Sequence, residues 1–460
     1  MKMTETVTAD AAAGKKEAGG VIMKSLLIVA IPIIIGNLLE AVTEIVDLHF
    51  IGTLGNVNMA GASTAMSISM LLMMLLLGVA IAVAAYISRA HGMGDTEHVA
   101  SVLTHALILG LIISAVIAVI GIFFTDNIMI FMTRGVADTA AAGASWLQPM
   151  LIGTVLIMLL ELLAIAFQSV GKPLVPMFVL VGVNVVNAIL NPVLINIMGL
   201  PGSAYATLIA RGLGAVALFV LMYTLPSVKA TGLRLARHFK WNGKLFGQMA
   251  IVAGPSSLQG CTRNLGLMLM TAVIAGYMSH EITAAYGICT RTDMIGLMVA
   301  LGLAQAVCVL VGQNLGAGDV KRAERTVRYS AILSAISMAI VAVVFITAGP
   351  AILSFFGAKG EVLSIGLTWM AIVPLASILM GTAFTFGYAM NGAGLTWPGM
   401  IGILAGQIVV PVSVALFAVN NGLPVVVVFL GVVAGNVMNF IIDFAFYKSG
   451  MWKKRTLRLE

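Results

Sequence analysis

The sequence predicts an all-α integral membrane protein, with twelve transmembrane helices in two pseudo-symmetric six-helix bundles around a central cavity. Three observations carry that prediction: too few charged residues to cover a water-facing surface, twelve apolar runs of spanning length, and a repeat that relates the two halves. The charged share is 9% and the hydrophobic share 60% of 460 residues, with a mean hydropathy of +1.07. A soluble domain carries about 25% charged residues because it must stay hydrated. Most of this chain's surface must therefore meet lipid.

A helix needs about 20 apolar residues to cross the hydrocarbon core. Runs that meet this lie near 25–50, 60–88, 100–124, 146–168, 175–198 and 204–224, then 247–277, 284–312, 327–349, 364–389, 398–418 and 424–447. Strictly alternating strands are absent, which argues against a β-barrel. The implied organisation is a polar cytoplasmic tail (1–20), a first lobe (21–224), a cytoplasmic linker (225–245), a second lobe (246–447) and a basic cytoplasmic tail (448–460).

Positive charge sets orientation, since Lys and Arg stay cytoplasmic. With both termini inside, only Arg134 and Lys359 fall in outer segments, and Arg211, Arg263 and Arg291 fall within spans. That leaves 20 of the 25 Lys and Arg on the cytoplasmic side. The net charge of +7 is thus topogenic, and no nucleic-acid partner is expected. The expected setting is a cell (plasma or inner) membrane, with lipid and a small amphipathic substrate as partners and a monomer as the working unit.

The halves repeat. Gly78-VAIAVAAYISRAHGMG-Asp95 aligns without gaps on Gly302-LAQAVCVLVGQNLGAG-Asp319, with seven of 18 positions identical (Gly78, Ala80, Ala82, Val83, Gly92, Gly94 and Asp95 with their counterparts). Pro32 and Pro255 stand near the starts of spans one and seven. Six spans per half restore the same orientation, so the halves are expected to be related by an axis along the membrane normal and to alternate access by rocking.

Charge inside a span costs about 2.5–3.5 kcal/mol on insertion scales, so each such residue is a functional candidate. Span one carries Glu40, Glu44 and Asp47 at spacings of four and three, on one helix face that Asn37 extends by a turn. Three carboxylates on one face suit proton carriage, or a Na⁺ site once two are ionised. Glu161 lies mid-span four. Arg211 in span six either neutralises one of these acids or stands apart. In the second half, Arg263 either meets an anionic substrate group or pairs with Asp293. Met66 to Met74, with Met70 at its centre, is rich in soft, adaptable side chains.

Pro32-IIIGNLLEAVTEIV-Asp47-LHFIGTLG, the loop VGQNLGAGDVKRAER from Val311 to Arg325, GPSS at Gly254 to Ser257 and GAGLTWP at Gly392 to Pro398 together resemble the MATE (multidrug and toxic compound extrusion) family of the multidrug/oligosaccharidyl-lipid/polysaccharide flippase superfamily. The resemblance covers essentially the whole chain. It implies a secondary antiporter that exports amphipathic, often cationic compounds in exchange for H⁺ or Na⁺, and relatives in the superfamily flip lipid-linked saccharides. The resemblance also implies that span two, with Met66 to Met74, abuts the cavity. Asp47 stands where the family keeps a transport-essential acid. Asn187 and Thr207 match a pattern of ion-site residues, so Asp47, Asn187 and Thr207 are the expected Na⁺ ligands. Asn191 stands where an Asp is usual, which removes one negative charge from that site. Glu40, Glu44 or Glu161 could replace it. No cofactor is expected beyond the coupling ion, and no enzymatic activity: the glycine-rich loops at Gly92–Gly94 and Gly316–Gly318 lack the Walker Lys-Ser/Thr, and neither HExxH nor GxSxG occurs.

Overall fold

The computed structural model describes residues 19–236, 239–455 and 457. Most of the predicted N-terminal tail, together with Arg237 of the linker and Arg458 of the C-terminal tail, lies outside the described residues. Among the described residues all regular structure is helical. The first half comprises α1 (Gly19–Gly52), α2 (Asn56–Gly92), α3 (Thr96–Phe123), α4 (Thr125–Met132), α5 (Ala137–Ile152), α6 (Thr154–Ser169), α7 (Leu174–Met198), α8 (Leu200–Thr224) and the short α9 (Pro226–Lys229). The second comprises α10 (Gly243–Tyr277), α11 (His280–Gly316), α12 (Val320–Phe355), α13 (Gly360–Gly392), α14 (Trp397–Leu404), a π-helical turn (Ala405–Val409), α15 (Val410–Asn420), α16 (Val425–Lys448) and α17 (Met451–Lys454).

Each predicted run coincides with a helix. Ten of the described helices are long and apolar enough to cross a membrane, and the pair α5–α6, bent by 50°, makes eleven. The twelfth, α10, has 35 residues and is less apolar, with Gln248, Ser256, Ser257, Gln259, Arg263 and Asn264 along it. Two features escaped the pattern. Span four breaks at Gly153, where the backbone turns out of the helix, and α4 packs before it as a separate short helix.

The chain forms two compact units. One is Ile35–Ser257; the other is Leu258–Leu457 with the described chain up to Ile34. Relative to lobes drawn at 21–224 and 246–447, the units take up the starts of spans one and seven crosswise. Residues 19–34 of α1 pack in the second unit, where Leu26, Val29, Ala30 and Ile33 share an apolar core with Leu303, Ala306, Val307 and Leu310. The start of α10 packs in the first unit, where Ser257 Oγ donates to the Leu75 carbonyl at 2.8 Å.

The repeated glycines explain themselves here. A Cβ on Gly78 would stand 2.6 Å from the Ser257 backbone nitrogen, and one on Gly302 would stand 3.0 Å from Ile34 Cα. Each lets one backbone lie directly on another. Gly94 and Gly318 take φ of 73° and 77°, the left-handed conformation that ends a helix without steric cost. The Asp that follows caps the next helix: Asp95 accepts from His98 N at 3.0 Å, and Asp319 from Arg322 N at 2.8 Å. Gly-x-Gly-Asp is thus a stop-and-restart signal used twice.

Candidate ion-coupling site

The polar residues of the first unit meet along a seam between α1, α7 and α8. Helix α7 carries Asn184, Asn187 and Asn191 at spacings of three and four, one stripe of a helix. Gly199, at φ 70°, turns the chain straight into α8, so α7 and α8 are antiparallel neighbours and Thr207 returns to the level of Asn187. Asn187 Nδ2 donates to Thr207 Oγ1 at 3.1 Å. On α1, Thr43 and Asp47 are one turn apart and face the same stripe. Thr43 Oγ1 donates to Asn184 Oδ1 at 2.7 Å, and Asn191 Nδ2 donates to Asp47 Oδ1. Thr207 Oγ1 lies 3.4 Å from Asp47 Oδ2 and 3.2 Å from the Ser203 carbonyl. Its one hydrogen serves one of these acceptors at a time.

Asp47 is 7% exposed, Asn187 1% and Asn191 0%. Among the described residues Asp47 has no ion pair; its hydrogen-bond donors are neutral. The amide oxygens of Asn187 and Asn191 and the hydroxyl of Ser203 are buried without a partner. A buried acceptor left unpaired costs about 1–3 kcal/mol, so the two amides of this seam carry oxygens that a cation could satisfy.

Arg211, on α8 one turn beyond Thr207, is committed elsewhere. Its Nη2 donates to Glu40 at 2.6 Å and its Nη1 to Glu161 at 3.4 Å. These carboxylates are 39% and 46% exposed, and the guanidinium 17%. Charges that open cannot lie against lipid, so they line a wet part of the unit. Glu40 and Glu161 share the guanidinium and Asp47 stands unpaired nearby, so the three carboxylates and one cation leave two negative charges when all are ionised.

Other candidates lie outside this arrangement. Glu44 is exposed and has no hydrogen bond or ion pair among the described residues, because it lies one turn back from Asp47 on the open edge of α1. Asn37 is half-buried, and Met70 is 42% exposed. Arg263 and Asp293 belong to the other unit, and among the described residues no ion pair joins them. The hydroxyl of nearby Ser377 donates to the Val373 carbonyl at 3.3 Å, and Asp293 Oδ1 is buried without a partner. The sequence reading passed over Thr43, Asn184 and Ser203, although the 184–187–191 stripe was visible as spacing.

The MatE family model matches residues 32–193 and again 255–417. The chain belongs to the MatE family. The two matches begin at Pro32 and Pro255, so the family's own unit is the repeat seen above. At 24% identity the chain is similar to the multidrug export protein MepA of Staphylococcus saprophyticus, over 87% of this chain and 88% of that one. At the same identity it is similar to the probable multidrug resistance protein YoeA of Bacillus subtilis, over 96% and 97%. Among solved structures, a MATE in the bent conformation superposes with a TM-score of 0.85 at 20% identity, covering 95% of this chain and 98% of that one. A MOP superfamily transporter from Pyrococcus furiosus, described as having a binding pocket of reverse polarity, superposes at 0.86 and 20% identity, covering 93% and 95%. This MatE chain is a multi-pass membrane transporter and not an enzyme.

Proposed function

We propose that this transporter exports small amphipathic, often cationic compounds in exchange for H⁺ or Na⁺, and that Asp47 is the carboxylate that binds the ion. The observation that carries the reading is a buried carboxylate without an ion pair, hydrogen-bonded into a seam whose amide oxygens lack donors. Arg211, the nearby guanidinium, is held by Glu40 and Glu161. A proton on Asp47 neutralises it in place. A sodium ion would draw on Asp47 with the amide oxygens of Asn187 and Asn191 and the Thr207 hydroxyl, the hard oxygen donors such cations take. Either ion removes the charge that keeps α1 and α7 in their present hydrogen-bonded register. An ion that binds one shape of this seam more tightly than another shifts the protein between them. The multidrug names of the MepA and YoeA relatives and the internal repeat support export by alternate exposure.

The test is ethidium export from proteoliposomes under Na⁺ and H⁺ gradients imposed separately, with wild type and Asp47→Asn. Export that follows one gradient and is lost in the variant supports the reading and names the ion. Normal export by the variant would sink it. A second reading, a flippase for a lipid or lipid-linked saccharide, has one observation in its favour: Arg263 is half-buried with no ion pair among the described residues, a free guanidinium suited to a phosphate. It predicts that such lipids, and not ethidium, stimulate turnover.

A further inference from the structure

A second buried acid lies in the other unit, at a place the sequence patterns did not mark. Asp443, on α16, is 1% exposed, and Asn439, one turn before it, is 0% exposed. Asn439 Nδ2 donates to Asp443 Oδ2 at 3.0 Å. The other oxygen of each, Asn439 Oδ1 and Asp443 Oδ1, is buried and has no hydrogen-bond partner. Two acceptors cannot satisfy each other, and native interiors rarely leave such groups unpaired.

The slot is narrow. A Cβ on Gly402 of α14 would stand 2.6 Å from Asp443 Oδ1 and 2.7 Å from Asn439 Nδ2, and one on Gly387 of α13 would stand 3.4 Å from Asp443 Oδ2. One turn on, Gly406 of the π-helical turn packs on Asn439 Cβ. No cation compensates the carboxyl. Of the elements packed on α16, α14, the π-helical turn and α15 carry no ionisable side chain. Helix α13 brings Tyr388, on which Arg263 and Cys308 act, and Glu361, some 26 residues and about 39 Å of helix from Gly387. Helix α10, whose Gly266 meets the Gln407 carbonyl of the π-helical turn, brings Arg263, and among the described residues no ion pair joins that guanidinium to Asp443. Helix α17 brings Lys454 and Lys453, the latter paired with Glu324. On α16 itself, Tyr447 stacks on Trp452 and Lys448 sits over the Phe444 ring. A metal ion does not fit. The side chains here supply the oxygens of one carboxyl and one amide, fewer donors than the carboxylate, two amides and hydroxyl around Asp47, and hard cations need many oxygens.

We propose that Asp443 and Asn439 form a proton-binding site of their own, in which one proton on Asp443 Oδ1 is donated to Asn439 Oδ1. With the existing N–H···O bond this closes an acid–amide pair and satisfies both orphaned oxygens at once. Losing the proton leaves a bare charge in a dry slot between two glycine backbones, and α13 and α14 must move off α16 to hydrate it. The site is therefore a proton-gated joint beside the π-helical turn, the kind of helix irregularity that recurs at functional positions. It stands whether or not Asp47 couples an ion.

Hydrogen exchange of the full chain in lipid nanodiscs, from mildly acidic to alkaline pH and corrected for intrinsic rates, tests it. In wild type and in Asp47→Asn, exchange in segments 384–391 and 398–407 rises with pH. In Asp443→Asn, where an amide replaces the acid, that pH dependence is lost. In Asn439→Ala, which keeps the acid and removes its partner, the rise persists with its midpoint moved by about one pH unit, the worth of one hydrogen bond. A wild-type profile flat in pH, a rise that survives in Asp443→Asn, or an unmoved midpoint in Asn439→Ala would each overturn the proposal.

Discussion

At the place of Asp47 the same helical scaffold is polar in one half of the molecule and, at the matching place, apolar in the other. The shift of 223 residues that carries Pro32 to Pro255 also carries Glu40 to Arg263 and Asp47 to Met270. Burial follows the shift: Leu26, Val29, Ala30 and Ile51 are buried, and so are Met249, Val252, Ala253 and Ile274. Towards the ends of the two family matches, at 193 and 417, the shift is 224, which carries Asn191 to Ala415. Met270 and Ala415 lie in one apolar cluster with Tyr286, Trp369 and Phe429. Where the first half holds a carboxylate against an amide, the second holds a methionine and an alanine among aromatic rings. The repeat therefore conserved the packing of backbones and left the chemistry free to diverge. The first half holds a buried carboxylate at this position, and the second holds an apolar side chain there.

The most severe way to break this contrast is to move the acid across it. Met270→Asp places a carboxylate in an apolar cluster that holds no cation, and we expect a loss of about 4 kcal/mol or failure to fold. Thermal unfolding in detergent reads it, and a variant as stable as wild type would show that the second half tolerates a charge there. Next is Asp47→Asn, with a predicted loss of ion-driven export of about 10–100-fold, the range of typical coupling energies, and little change in stability because Asn keeps the size and an acceptor. Third, Arg211→Gln strips Glu40 and Glu161 of their shared cation. Removing one partner of a fully buried pair costs about 3–5 kcal/mol, but these carboxylates are partly open, so about 1–3 kcal/mol is expected. The triple change Glu40→Gln, Glu161→Gln and Arg211→Gln should recover most of it, as unfolding of both variants would show.

The smallest effect compares the two caps. Asp95→Ala should cost about 1 kcal/mol, an ordinary N-cap, and Asp319→Ala about the same. Only the first should depend on acid in a way His98 controls. Burial pushes the Asp95 carboxyl up, but hydrogen bonds from the His98 backbone and ring outweigh it and hold it below the usual range. A group held low in the folded state stabilises above its unfolded value, and that contribution is lost as pH falls through the folded value. Unfolding midpoints of wild type and Asp95→Ala should therefore converge below about pH 4.

How much of this was legible in the sequence depended on whether a feature was local. Spanning helices are set by some twenty consecutive side chains, and every predicted run became helical, with the fourth broken at Gly153 and the eleventh interrupted by the π-helical turn. Gly-x-Gly-Asp was visible as a repeat, and its job as a helix stop and cap follows from glycine and aspartate alone. Asp47 stood out as a charge inside a span, the resemblance to the family pattern pointed to Asn187, Asn191 and Thr207, and the structure brings the four together. What the sequence could not say was which acid Arg211 would choose, because guanidinium reach depends on how α1, α6 and α8 lean together. It took Glu40 and Glu161, and left Glu44 with none. Asp443 escaped because it lies five residues before Lys448 and resembles an interfacial acid. Only the glycines of two other helices, remote in sequence, make it buried.

The crosswise starts of spans one and seven bear on how the chain is made. Synthesis runs from the N-terminus at about 5–20 residues per second, and Ile34 is finished roughly 270 residues before the Gly302 backbone on which it rests. The opening segment of the first helix must wait roughly 15–50 s in the bilayer for its seat to emerge from the ribosome. Ile31 and Ile35, 49% and 38% exposed even in the finished fold, give it an apolar surface that lipid can hold through that interval. A chain interrupted before span eight would leave that segment without a partner, a recognisable mark for quality control.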